Sequence, residues 1–182
     1  MHGLKREDLF VTSKLWNTQH RPQNVQAALD DCLAELELDY LDLYLIHFPV
    51  SFDEPNNPHT TLFPLAENGD VKMDDGVSII ETWKAMTGLP KIKVRAIGVS
   101  NFGIEHLDAI IEATGTVPAV NQVERHPLLP QKQLIDFCTS KNIHVTAYSA
   151  FGNNMFGKPL VITYPEIQSI ADRITATPAQ VM

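Results

Sequence analysis

The sequence predicts an α/β fold built on a parallel sheet, and three observations predict it. Short apolar runs rich in β-formers alternate with segments of helical period along nearly the whole chain. The apolar runs lead directly into polar residues, as strands do when they reach an exposed sheet end. The two long polar connections both follow such runs, which puts them at the C-terminal end of the sheet, where parallel α/β folds bind ligands.

The elements follow in order. Strands are expected at Phe10–Lys14, Leu41–His47, Arg95–Ser100, Ala119–Val123 and Ile143–Ser149. Pro22–Leu36 carries Val25, Ala28, Leu29, Cys32, Leu33 and Leu36 on one helical face, and Pro22 suits a first turn that needs no N–H. Val77–Met86 repeats the pattern through Ile79, Ile80, Trp83 and Met86. Ile104–Ala113 does so through Ile104, Leu107, Ile110 and Ile111, with Gly115 as its stop. Gln131–Ser140 is a fourth helix, and Thr177-Pro178 opens another. The breaks in this rhythm are Pro49–Gly76, with Pro55, Pro58 and Pro64, and Ala150–Pro165, with Gly152, Gly157 and Pro159. Connections this long inside a compact domain are usually functional or disordered.

Length and composition bound the rest. The chain has 182 residues, 44% of them hydrophobic, which is enough for one real core and one domain spanning 1–182. A net charge of −8, with the charges interspersed, gives no general pull toward nucleic acid. No apolar run is long enough for a bilayer, and the start does not read as a signal peptide, so a cytoplasmic location is expected. Cys32 and Cys138 fall in helical segments outside any metal-spaced cluster and read as reduced core thiols.

Chemistry gathers at the strand ends: Lys14 and Trp16 after the first, His47 and Phe48 after the second, Ser100-Asn101 after the third, Gln122 within the fourth, and Tyr148-Ser149 closing the fifth. By strand alternation Phe10, Thr12 and Lys14 share one face, as do Leu43, Leu45 and His47, so Lys14 and His47 would meet if those faces line a barrel. Each residue also has a plainer role. A strand-end lysine snorkels to solvent, a buried histidine hydrogen-bonds in a core, Asn101 caps the next helix, Gln122 satisfies backbone groups, and Tyr148 packs with a wet hydroxyl. It is their joint placement at one end of the sheet that points to a site.

Phe10-Val11-Thr12-Ser13-Lys14-Leu15-Trp16, Leu41-Asp42-Leu43-Tyr44-Leu45-Ile46-His47, Ile97-Gly98-Val99-Ser100-Asn101-Phe102, Asn121-Gln122-Val123-Glu124-Arg125-His126-Pro127 and Ala147-Tyr148-Ser149 resemble the aldo-keto reductase family in order and spacing. The Ala150–Asn154 stretch and the short Met86–Lys93 link look most like fungal members that reduce glyceraldehyde, galacturonate or related substrates. The resemblance implies a (β/α)8 barrel binding NADPH (or NADP) across its mouth and reducing carbonyl compounds by hydride transfer. It implies that His47 orients the carbonyl and that Lys14 lowers the pKa of a catalytic tyrosine. Ser100, Asn101 and Gln122 would hold the nicotinamide carboxamide, Tyr148 would stack on its ring, and Ser149 would begin the pyrophosphate loop. Trp16 and Phe48 would line the substrate pocket, with Phe48 standing where many members carry tryptophan.

Five strands against the family's eight imply a partial TIM barrel, about strands 3–7 with their helices, truncated at both ends. Strands 1, 2 and 8 and the catalytic tyrosine and its aspartate partner would be missing. Tyr40, Tyr44, Tyr148 and Tyr164 do not stand in the family's tyrosine motif. From this follow an expected impairment of turnover, a desolvation cost for a buried Lys14 without its carboxylate, and self-association through open strand edges. The competing reading is a non-catalytic NADPH-binding or regulatory barrel fragment. A barrel lyase or isomerase would need a strand-end metal cluster or a phosphate-gripping glycine loop, which the sequence does not show.

Overall fold

A computed structural model describes residues 3–57, 60–154 and 157–182, so Pro58 of the first long connection lies outside it. The elements are β1 (Thr12–Leu15), α1 (Pro22–Leu36), β2 (Leu41–Ile46), α2 (Ile79–Thr87), β3 (Val94–Ser100), α3 (Ile104–Thr114), β4 (Val120–Glu124), α4 (Lys132–Ser140), β5 (His144–Tyr148), α5 (Pro165–Ile174) and α6 (Pro178–Val181). All neighbouring strands are parallel, and the sheet order is β1-β2-β3-β4-β5. A strictly sequential order has no switch point, which is the wiring of a barrel wall and not of a doubly wound sheet. β1 and β5 are its edge strands.

Local chemistry explains the boundaries. α1 starts on Pro22 and ends where Glu37 turns left-handed at φ 53°, with Leu38 N–H donating back to the Leu33 carbonyl. α2 starts two residues later than the apolar pattern predicts, because Ser78 and Glu81 form a reciprocal cap. α3 stops at Gly115 (φ 67°), as expected. α5 lies just beyond the second long connection, where the sequence predicts no element. Pro165 opens it, and Ile167 and Ala171 are its buried positions.

Every residue of β2 is buried, as a central parallel strand requires. Tyr44 and Ile46 face the helices, in one core with Leu29, Trp83, Met86, Ile97, Val99 and Leu107. Leu43 and Leu45 are equally buried but lie on the opposite face, outside that cluster. The connection after β2 folds back on itself through antiparallel bridges Phe52–Met73 and Leu65–Val71. No helix among the described residues is long and apolar enough to cross a membrane.

Candidate active site

Register puts the site together. Thr12 pairs with Leu43 and Lys14 with Leu45, so Lys14 stands on the face that β2 carries on to His47. His47 N–H donates to the Leu15 carbonyl at 3.1 Å and extends the β1–β2 ladder by one step. The two side chains feel each other: burial first, then the Lys14 charge, draws the His47 pKa below its ordinary value. His47 is therefore held neutral near pH 7, with an N–H to donate. Its ring meets Trp16 edge-on at 5.0 Å and stacks on Phe48 at 5.0 Å and 9°. Trp16 and Phe48 thus flank the histidine.

Lys14 is only part-buried, and it lines a groove between β1 and α1 with Ser13, Cys32, Tyr44 and the acidic Asp31 and Glu35. The desolvation cost expected of a fully buried lysine is accordingly small.

Ser100 and Gln122 are register partners, and Ser100 Oγ donates to the Gln122 carbonyl at 2.8 Å. Gly98, two residues before Ser100, faces Leu45, which places Ser100 and Gln122 on the Lys14 side of the sheet. Asn101 does not cap α3; Gly103 holds that position. Instead Asn101 takes a left-handed backbone (φ 64°) and spans the rim. Its Nδ2 donates to the His47 carbonyl at 2.9 Å and to Ser100 Oγ at 3.2 Å, while its Oδ1 accepts from the Tyr148 hydroxyl at 2.7 Å. Burial, then the nearby Glu124 charge, raises the Tyr148 pKa, so the phenol stays a donor.

A cleft of about 330 Å³ opens beside Asn101 and Tyr148, lined also by Val123, Glu124 and Gln131. Ser149 is left-handed (φ 47°), and its carbonyl accepts from Gly152 N–H at 2.8 Å, closing a tight turn at the start of the second long connection. Ser149 lies at that turn, and neither it nor His47, Ser100 or Gln122 lines the cleft.

The residues fit a nicotinamide. A carboxamide needs donors and acceptors together, and Asn101 and Gln122 offer both. The Gln122 side-chain amide makes no hydrogen bond among the described residues, and Asn101 Oδ1 keeps a second lone pair. A flat ring needs an aromatic face, and Tyr148 is fixed at its hydroxyl end. Among the described residues no group of three or more His, Cys, Asp or Glu side chains is placed to hold a metal ion.

Sequence reasoning missed several participants. Glu124 accepts from Asn153 Nδ2 at 2.5 Å and lies 3.2 Å from His126 Nε2, tying the second connection to β4. Phe52 and Phe63 both stand edge-on to Trp16, at 6.1 and 5.3 Å, and are tilted against each other. Aromatics inside a proline-rich connection after a strand were the available signal. The other sequence tyrosines lie elsewhere. Tyr44 is buried under α1, where burial pushes its pKa far up, and Tyr40 lies between Arg6 and Arg95.

The sequence model of the Aldo/keto reductase family matches residues 2–164. A D/L-glyceraldehyde reductase of Hypocrea jecorina is 61% identical across 99% of the chain and 55% of its own length. The aldo-keto reductase family 1 member A1 of Sus scrofa is 42% identical across 99% of the chain and 56% of its own length. The aldose reductase structure from Schistosoma japonicum superposes with a TM-score of 0.88 at 41% identity, covering 98% of this chain and 56% of that one. The chain spans about half the length of the curated relatives it matches, and its five parallel strands correspond to an arc of that barrel.

Proposed function

The chain belongs to the aldo-keto reductase family, and on that footing we propose that its strand ends form the carbonyl- and nicotinamide-facing wall of an NADPH-dependent reductase of small aldehydes. The observation that carries this is the hydrogen-bonded run from the His47 carbonyl through Asn101 to Tyr148, which ties together the strand ends that present the part-buried His47 imidazole, Ser100 and the Tyr148 ring. NADPH, when bound, supplies the hydride. His47 donates a hydrogen bond to the carbonyl oxygen and fixes its direction. Positioned donors of this kind are worth about 100- to 1,000-fold in rate, because charge builds on that oxygen as the reaction proceeds. Asn101, Gln122 and Ser100 hold the carboxamide end, Tyr148 supports the ring, and Ser149 begins the pyrophosphate-side connection. Trp16 and Phe48 enclose the substrate. The likeness to a glyceraldehyde reductase supports short hydroxyaldehydes as the substrate class.

Lys14 is the residue that would depress a tyrosine pKa, yet none of the four tyrosines of these 182 residues is hydrogen-bonded to His47 or Lys14 among the described contacts. This favours, for these residues by themselves, cofactor binding with slow turnover. The open flanks of β1 and β5 are where self-association would occur. The two free thiols accord with the cytosol.

The test is direct. NADPH is titrated against the chain while Trp16 fluorescence is followed in a Trp83→Phe background, and glyceraldehyde is then added to look for NADPH oxidation. The expected result is saturable quenching that Gln122→Ala weakens, with reduction lost in His47→Phe. Absence of NADPH binding by the folded chain refutes the reading.

A further inference from the structure

The segment from Trp16 to Arg21 grips the long connection after β2 at several points. Trp16 Nε1 donates to the Leu62 carbonyl at 2.7 Å, and Asn17 Nδ2 donates to the Val50 carbonyl at 3.0 Å. The Asn17 carbonyl accepts from Phe52 N–H at 3.0 Å, and Arg21 pairs with Asp74 at 2.8 Å. One contact differs from these in burial. His20 is 1% exposed, and its Nδ1 lies 3.1 Å from Oγ of Ser51, itself 8% exposed.

His20 is held from the other side as well. Its carbonyl accepts from Thr82 Oγ1 at 2.8 Å, and Thr82 is wholly buried in α2. The histidine is thus fastened to a rigid helix and reaches the connection from that anchor. Ser51 immediately precedes Phe52, which packs with Phe63 around Trp16, the ring that stands edge-on to His47. Whatever fixes Ser51 therefore fixes the aromatic wall next to the carbonyl-polarising group.

We propose that His20 is a positioning residue: through Ser51 it seats the start of the connection after β2 and thereby sets the shape of the Trp16–Phe52–Phe63 wall that meets the substrate. That the wall faces a carbonyl substrate rests on the reductase reading; the seating itself does not.

The two tryptophan indoles separate seating from general stability. Trp16 Nε1–H is bonded to the connection, whereas Trp83 Nε1–H is bonded to the Thr116 carbonyl and its ring lies fully in the core. Hydrogen exchange of both is followed by NMR on the whole chain in Ser51→Ala, His20→Phe and His20→Asn. Losing one buried hydrogen bond raises the population of the released connection about fivefold. Ser51→Ala and His20→Phe are expected to speed Trp16 exchange by that factor and leave Trp83 unchanged. His20→Asn, whose amide places a polar atom near the Nδ1 position, is expected to restore most of the protection. If His20→Phe does not fold, Ser51→Ala decides. Unchanged Trp16 exchange in folded Ser51→Ala, or equal acceleration of both indoles, overturns the proposal. None of this needs cofactor or aldehyde, so a failure of the reductase reading shows separately, as folded wild-type chain that does not bind NADPH. Where turnover is present, Ser51→Ala is expected to raise KM for the aldehyde and leave kcat unchanged.

Discussion

Asn101 donates its side-chain amide to the His47 carbonyl at 2.9 Å from a backbone held at φ 64°. A left-handed conformation is tolerated by asparagine better than by most residues, because its short polar side chain can bond locally. Here its amide also donates to the adjacent Ser100 Oγ, and its Oδ1 accepts from the Tyr148 hydroxyl of β5. The ends of β2, β3 and β5 are joined through one side chain. This gives a physical reason for an asparagine at a position that a helix cap would otherwise explain.

Replacing Asn101 separates backbone from side-chain effects. Asn101→Ala loses both sets of hydrogen bonds and forces a Cβ-bearing, non-bonding residue to stay left-handed, a cost of about 2–3 kcal/mol. Asn101→Gly loses the same bonds but relaxes the backbone, so about 1 kcal/mol of that loss should return. Urea unfolding of the two variants measures the difference. Equal losses would show that the backbone conformation is unstrained.

At the opposite end of β2, Asp42 is a structural counterpart. Its carboxylate accepts from Arg6 at 2.7 Å, Arg95 at 3.0 Å and Val11 N–H at 2.9 Å, while both guanidiniums lie over the Tyr40 ring, at 3.9 and 4.0 Å. Burial alone would raise the Asp42 pKa, but the Val11 and Arg6 hydrogen bonds and the two arginine charges outweigh it and hold the carboxyl below its usual range. Asp42→Asn should cost about 3 kcal/mol in chemical denaturation, the low end for a broken buried pair because Arg95 can turn to water. Tyr40→Leu, which keeps bulk but removes the cation–π face, should cost about 1 kcal/mol. The clasp lies away from the strand ends that carry the site, so NADPH affinity should not change in either folded variant.

Acid stability should be governed by the two histidines near the site. Burial first, then the neighbouring His47 charge, pulls the His20 pKa from 6.5 down to about 4, and His47 is lowered in the same sense. The unfolded chain then binds more protons than the folded one between these values. The contribution to stability is full above about pH 6.5 and is lost as pH falls toward 4. For His20 the loss approaches about 3 kcal/mol. Urea midpoints taken across this range should be flat on the neutral side and fall on the acid side, with His20→Phe removing the larger part of the slope. A slope unaltered by that substitution would assign the acid sensitivity to other groups.

Much of this was legible in sequence because strand alternation and helix period are local signals. His47, Lys14 and Asn101 could be placed from β1, β2 and β3 alone, since a parallel register fixes which side chains share a face. The links between elements were not legible. The Asn101–Tyr148 bond spans 47 positions, and the His20–Ser51 contact joins two turns with no periodic pattern. α5 is not predicted because its apolar face is narrow and it follows a glycine-rich connection, so Pro165 reads as the end of a loop when it is the first turn of a helix.

Gly98 is where sheet packing limits the site most sharply. A Cβ built on it would stand 2.6 Å from the Val120 carbonyl oxygen and 2.8 Å from Leu45 Cδ2. One obstacle is backbone, which cannot step aside without disturbing the β3–β4 pairing. The other is the side chain whose residue is the register partner of Lys14. Gly98→Ala should therefore cost about 3 kcal/mol, the upper end for overpacking, because the Val120 carbonyl is fixed in the sheet even where the tip of Leu45 can turn. The damage should also reach the strand ends, because β3 carries Ser100 and Asn101 two and three residues further on. Thermal unfolding should show the loss of stability, and NADPH titration of the folded fraction should show weaker binding. A variant as stable as wild type would mean that β3 and β4 lie further apart in solution than these distances require.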